Sequence, residues 1–401
     1  MPSLPPLSLY VHFPWCVRKC PYCDFNSHAL QGKLPEAAYV EALLCDLTLQ
    51  LPTARDRALQ SIFLGGGTPS LLAPEALARL LHGVAARLEL AADVEISLEA
   101  NPGTIERGQF SAYRSAGITR VSLGAQSFAP AQLQRLGRIH SAGEIALAVA
   151  ELREAGLDNF NLDLMYGLPQ QSVAEALADL EQAMALQPRH LSHYQLTIEA
   201  GTVFAGRPPS GLPDADRSAE LQAACQRLLA DSGYVQYEVS AYARERARCR
   251  HNLNYWQFGD YLGIGAGAHG KCSSIEQGAL VITRTTRTRD PRRYLTQFES
   301  ALAAGTRTPG TEQHLVAVEE RAFEFLLNAL RLVEGFEQAQ FEARTGLELA
   351  SVAGQFERAR ALGLTERHDR GWRASPQGLN FLNDLLSLFL PPTQIRASAL
   401  R

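Results

Sequence analysis

Short runs dense in apolar and β-branched residues alternate along the chain with longer stretches whose apolar positions recur every three or four residues. The short runs predict strands at Leu9–Phe13, Ser61–Leu64, Val94–Leu98, Arg120–Leu123, Asn159–Leu164 and His190–Thr197. The longer periodicity predicts helices over 35–50, 74–88, 104–116, 142–155 and 172–186. Pro74 suits the first turn of its helix, and Gly117 and Gly156 suit helix C-termini. Strand then helix, at roughly 30–40 residues per unit, implies parallel strands joined by right-handed crossovers. Six such units make most of a barrel. The expected fold is α/β, a partial (β/α)6 barrel of the TIM type.

Beyond residue 205 the rhythm changes. Pro208-Pro209-Ser210-Gly211 reads as a loop, followed by a helix over 214–231 and a strand-like run, Tyr234–Ala241. The hexapeptide His251-Asn252-Leu253-Asn254-Tyr255-Trp256 and the glycine-rich Leu262–Gly267 come next. Helical patterns cover 318–332, 336–345 and 350–361, Gly363–Arg373 reads as a β-wing, and a last helix covers 377–389. The expected division is residues 1–310, the barrel plus an extension carrying the hexapeptide, and residues 311–401, a small, mainly helical, winged-helix-like domain.

The chain has 401 residues, 46% of them hydrophobic, which is enough for a large core. A net charge of −4 gives no basic field for nucleic acid. The opening Met1–Pro6 has no charged region before an apolar run, so no secretory signal is expected, and no stretch of about 18 apolar residues predicts a membrane span. Seven cysteines, three crowded into eight residues and four scattered (Cys45, Cys225, Cys249, Cys272), are not a disulfide framework. The expected setting is the reducing cytoplasm.

Polar residues gather just past the predicted strand ends: Cys16 to Cys23, Gly65-Gly66-Gly67-Thr68, Glu99-Ala100-Asn101, Gln126, and Asp163 late in its strand. Strand C-terminal ends are where barrels of this type place their chemistry. Cys16-x3-Cys20-x2-Cys23 lies on a loop with Pro14 and Pro21. A loop can wrap thiolates onto separate corners of an iron–sulfur cube, and three thiolates leave a fourth iron open. Structural zinc is the alternative, with Cys45, His12 or His28 completing four ligands.

The C-x3-C-x2-C spacing after a first strand resembles the radical S-adenosylmethionine (SAM) superfamily. That resemblance implies a [4Fe–4S] cluster on Cys16, Cys20 and Cys23, with SAM chelating the open iron and yielding a 5′-deoxyadenosyl radical on one-electron reduction. From Leu9 to Gly270 the chain is similar to the coproporphyrinogen-oxidase-like branch. Matching positions imply SAM contacts by Tyr10, Gly66, Gly67, Thr68, Glu99, Gln126, Arg138 and Asp163, with Gln195 and the loop Ile264–His269 as looser candidates. The oxidases of that branch carry a fourth cysteine where this chain has Phe25, and a longer segment before the cluster.

His251–Trp256 matches the HNxxYW element of haem-carrying chaperones in the same branch. The resemblance implies haem as cargo, with His251 as a candidate iron ligand and Tyr255 and Trp256 packing on the porphyrin. Cys249, His193 and His269 are alternative ligands. Arg244, Arg246, Arg248 and Arg250 are candidates to pair with haem propionates. A second basic run, Arg284–Arg293, reads as an exposed loop available to a partner or to anionic lipid. Two functions stay open. One is a carrier handing haem to an apo-haemoprotein, such as a respiratory enzyme at the inner membrane. The other is an oxidase converting coproporphyrinogen III to protoporphyrinogen IX. The implied partners are haem and its recipient, with a homodimer as a further option and no nucleic acid.

Overall fold

A computed structural model describes residues 4–54, 57–103, 108–304 and 311–391, the side chains of 299–304 excepted. Six parallel strands form the centre: β1 (Leu7–Phe13), β2 (Leu59–Gly66), β3 (Leu90–Ala100), β4 (Arg120–Gln126), β5 (Phe160–Tyr166) and β6 (His190–Gln195). They pair in sequence order, as six βα units require. Every residue of β4 is buried, because helices cover the outside while the inward positions face the barrel interior.

Local chemistry sets the helix ends. Pro74 occupies the first turn of Pro74–Ala85, and Gly117 ends Phe110–Ala116 with φ 115°. Ser141 and Ser172 each form a reciprocal capping box with the glutamate three residues on, Glu144 and Glu175. The helix expected over 104–116 is present as Phe110–Ala116; residues 104–107 lie outside the described part.

The sheet extends well beyond six strands. Tyr234–Ala241 is not one strand but two short antiparallel ones, β7 (Val235–Glu238) and β8 (Ala241–Ala243), beside β6. On the other side β9 (Asp260–Ile264) runs parallel to β1. It is followed by antiparallel β10 (His269–Glu276), β11 (Ala279–Arg287) and β12 (Thr311–Leu315). The glycine-rich segment therefore begins in strand, Leu262–Ile264, and continues as a turn through Gly265 and Gly267. A Cβ at Gly263 would collide with the His269 carbonyl, so glycine here serves strand-to-strand approach.

The basic run Arg284–Arg293 is corrected as well. Its first residues are inside β11, and Pro291–Ala304 is a helix. Arg287 is fully buried and bonds Asp46 of helix Glu36–Ala54, whose carboxylate also accepts from Tyr294 at 2.8 Å. Arg284 pairs with Glu324 at 2.7 Å. These two cations are committed to the fold.

A second apolar core lies under helices Val318–Ala329, Gln338–Thr345 and Ala353–Ala361 and a three-stranded sheet that includes Thr365–His368 and Gly371–Ala374. It is built on Phe325, Phe336, Phe341, Phe356 and Trp372, and it takes in Phe258 and Ile282 from the preceding part of the chain.

Candidate functional site

The cysteine loop is pinned at both ends. Trp15–Cys16 pairs in parallel with His28–Ala29, and the Gly67 and Thr68 amides donate to the Phe13 and Trp15 carbonyls. Between these anchors the chain turns with Cys23 N donating to Cys20 O at 3.2 Å. All three thiols are free and partly buried. Arg138 lies 3.6 Å from Cys20 Sγ, and Ser27 Oγ lies 3.6 Å from Cys23 Sγ. Burial raises the Cys16 thiol pKa, opposed by the Thr68 and Ser27 hydroxyls.

Cys16, Cys20 and Cys23 share the wall of a cavity of about 340 Å³ with Gly66, Gly67, Thr68, Glu99, Gln126, Arg138 and Asp163. Three free thiols lining one cavity are a donor set that suits a polynuclear cluster. Among the described residues no three Cys, His, Asp or Glu side chains gather around one point as a single zinc ion requires.

The loop after β2 is close-packed. A Cβ at Gly66 would strike the His12 ring, and one at Gly67 the Trp15 carbonyl. The Gly66 amide donates to Glu99 at 3.0 Å, tying the glycine turn to the end of β3. Asn101 donates to Thr68 at 3.0 Å and accepts from Arg138, whose Nη2 also donates to the Gly124 carbonyl at 2.8 Å. Gln126 sits in the left-handed region at φ 68° and accepts from Tyr194 at 2.7 Å. Asp163 accepts from Ser122 at 3.0 Å and Asn161 at 2.7 Å. Burial lifts the Glu99 carboxyl to about 8, helped by the neighbouring Asp163; burial lifts Asp163 too.

A second cavity, about 810 Å³, shares Phe25, Gly66, Glu99, Ser122 and Asp163 with the first. Tyr10 lines this one and not the cysteine-lined one, unlike the other seven residues expected to contact SAM. Its wall includes Phe63, Tyr255, Trp256 and His251. The hexapeptide belongs to helix Arg250–Trp256, anchored by Asn254 donating to Ser8 Oγ at 3.0 Å and the Asp260 carbonyl at 2.9 Å. His251 Nδ1 lies 3.2 Å from Ser61 Oγ, and its ring tilts against Phe63 with centroids 5.1 Å apart. Burial, with the Arg120 charge adding, lowers its pKa to about 3, so the imidazole is neutral. Tyr255 and Trp256 meet edge-on at 4.9 Å, and the buried Trp256 indole N–H has no partner.

Several expected residues fall elsewhere. Arg248 pairs with Glu334, Arg250 with Asp93 at 2.7 Å, Arg244 stacks over Tyr234, and Arg246 is exposed beside Glu245. None of the four lines either cavity, because they precede or begin the helix whose far side faces inward. Cys249 is fully buried against Glu95, and His193 stacks on Tyr166, so neither lines the larger cavity; His269 does. Gln195 bonds Ser218 away from both, whereas Gly267 of the glycine loop lines the larger one. The sequence reading missed Ser122, Gly124 and Tyr194. The signal for the first two was the alternation Ser122-x-Gly124-x-Gln126, which points all three inward.

The chain matches the Radical SAM superfamily over residues 10–183 and the HemN C-terminal domain over residues 316–381. It is 50% identical to the heme chaperone HemW of Escherichia coli K12, over 97% of this chain and 100% of that one. It is 48% identical to the Haemophilus influenzae heme chaperone HemW, over 97% and 99%. The mouse mitochondrial radical S-adenosyl methionine domain-containing protein 1 is 37% identical over 96% of this chain and 88% of its own. The Escherichia coli coproporphyrinogen III oxidase HemN superposes with TM-score 0.78 over 96% of this chain and 90% of that one, at 22% identity, and so shares the fold. Identity at this level across the full length of its relatives places the chain: it belongs to the HemW family of the radical SAM superfamily.

Proposed function

We propose that this chain is a haem chaperone that binds haem in its larger cavity and passes it to an apo-haemoprotein. The observation carrying this reading is the placement of His251, Tyr255 and Trp256 on one cavity wall, beside the cysteine-lined cavity. A volume of about 810 Å³ lies in the range that takes cofactor-sized ligands. A neutral imidazole is a haem-iron ligand, and the aromatic pair offers apolar surface to a flat macrocycle. Relatives named heme chaperone share half of the residues.

The superfamily's cofactors are a [4Fe–4S] cluster and SAM. We assign Cys16, Cys20 and Cys23 to the cluster, which when bound supplies an open iron and one-electron reducing power. Gly66 and Gly67 permit close backbone approach, Thr68 and Arg138 hold Asn101 in place, and Arg138 offers a cation to a carboxylate. Glu99, Gln126 and Asp163 present acceptors to an amino group or ribose hydroxyls, with Tyr10 on the larger-cavity side. Phe25 stands between the two cavities, 58% exposed, where the oxidases carry a fourth cysteine. We divide the chain near residue 310, with β12 reaching back across that division to pair with β11. We read the recipient as a respiratory haemoprotein met by a cytoplasmic carrier at the inner membrane. Among the described residues no helix is long and apolar enough to cross a membrane.

The test is anaerobic. The reconstituted protein is titrated with haem while the Soret band is followed. Separately it is given coproporphyrinogen III, SAM and reductant. Stoichiometric haem binding without protoporphyrinogen is the expected result; catalytic formation of protoporphyrinogen would replace the chaperone reading with the oxidase one.

A further inference from the structure

Besides Arg120, the fully buried cations among the described residues are Lys271 and Arg287, and both are paired. Lys271 meets Asp260 at 2.8 Å, Arg57 meets the same carboxylate at 2.7 Å, and Arg287 meets Asp46 at 2.8 Å. Arg138 is bonded to Asn101 and the Gly124 carbonyl. Arg120 is the exception. It is the first residue of β4, its side chain is 2% exposed, and it lines the larger cavity. Its Nε is buried without a hydrogen-bond partner, and its guanidinium makes no ion pair among the described residues.

The nearby carboxylates Glu95 and Asp163 favour its charge without an ion pair and take their hydrogen bonds from other groups. Glu95 accepts from the Arg250 amide at 2.9 Å and faces Cys249 Sγ at 3.6 Å. Asp163 is bonded to Ser122 and Asn161. Ser122 lines the same cavity two residues further along β4. Arg120 therefore lies about 7 Å deeper than Ser122, away from the C-terminal mouth of the barrel. A buried guanidinium with an unpartnered Nε, met by these acids without an ion pair, keeps its fork open to an anion in the cavity. Its planar fork suits a carboxylate.

We propose that Arg120 is the anion anchor of the larger cavity, pairing with a carboxylate arm of the bound ligand. Resting on the chaperone reading, that arm is a haem propionate reaching inward while the macrocycle lies along His251, Tyr255 and Trp256. Two acids face the same cavity, Glu99 and Asp163. Burial favours their neutral forms, so they repel an incoming carboxylate less than their number implies. Arg120 also supplies the propionate contact that the four arginines before the hexapeptide do not.

The test compares haem with haem dimethyl ester, whose propionates carry no charge, in the same mild detergent, by Soret titration of the full-length reconstituted protein. Wild type is expected to prefer free haem by about tenfold or more, the scale of one charge-assisted pair. Arg120→Gln is expected to bind both ligands alike, and Arg120→Lys to keep part of the preference. Equal binding of acid and ester by wild type overturns the anchor without need of a variant. A preference undiminished in Arg120→Gln overturns the assignment to Arg120 while leaving haem binding in place. Wild type that binds no haem overturns the anchor together with the chaperone reading.

Discussion

The Arg287 guanidinium meets the Asp46 carboxylate at 2.8 Å in the protein interior, bolting β11 to the first long helix across 241 residues of sequence. Asp46 is completed by the Tyr294 hydroxyl and the Gly265 amide. Arg287→Ala should therefore leave a buried acid without its cation. The expected loss is about 3–5 kcal/mol of unfolding free energy, read by denaturant titration. A loss below about 1 kcal/mol would mean that the pair is replaceable by water.

Glu99 carries a pH dependence. Its folded pKa of about 8 lies above the unfolded value near 4.5, so the folded state binds the extra proton between those limits. Stability attributable to this group is intact below about pH 4.5 and is lost as pH rises through 8. Glu99→Gln removes that loss. The variant should gain on wild type by about 2–3 kcal/mol between pH 5 and 9, a figure reduced for the side of Glu99 that faces the cavity. Melting curves of both proteins across that range decide it; parallel curves would contradict the raised value.

His251 Nδ1 lies 3.2 Å from Ser61 Oγ, so on the proposed haem reading Ser61 supports the ligand. His251→Ala should shift the Soret band of the haem complex, because the axial donor is gone. Ser61→Ala should keep the wild-type band position but weaken binding by about tenfold, since the hydroxyl only orients the ring. An unmoved band in His251→Ala would reject the histidine as ligand.

Phe25→Cys restores the four-cysteine spacing of the oxidases at an exposed site, with a stability change within about 0.5 kcal/mol. Iron per chain should remain near that of one cluster, and coproporphyrinogen III should still yield no protoporphyrinogen. Product formation by this single substitution would show that the thiol alone separates carrier from oxidase.

Local pattern was sufficient for the parts that local physics controls. Cys16, Cys20 and Cys23 lie within eight residues, and their spacing alone predicts a loop able to hold a cluster. The alternation of strand and helix from Leu7 to Gln195 follows from side-chain periodicity, and the parallel order follows from the crossovers. The hexapeptide was legible as a motif, though its four-arginine prelude was misread. Arg244, Arg246 and Arg248 lie in the turn before the helix and only Arg250 begins it, and charge in a sequence carries no record of which way such a turn points.

What the linear chain could not settle was set by contacts between distant residues. Gly263 reads only as part of a glycine-rich run until a neighbouring strand is seen to leave no room for a side chain. Arg287 reads as solvated until Asp46 is found opposite it. Arg120 reads only as the first residue of a strand until the barrel closes around it and sets it in the wall of a cavity. Periodicity and spacing act through the bonds of neighbouring residues, so they are written in the sequence. Burial of charge depends on which remote groups the fold brings within a few ångströms, and only the tertiary structure decides that.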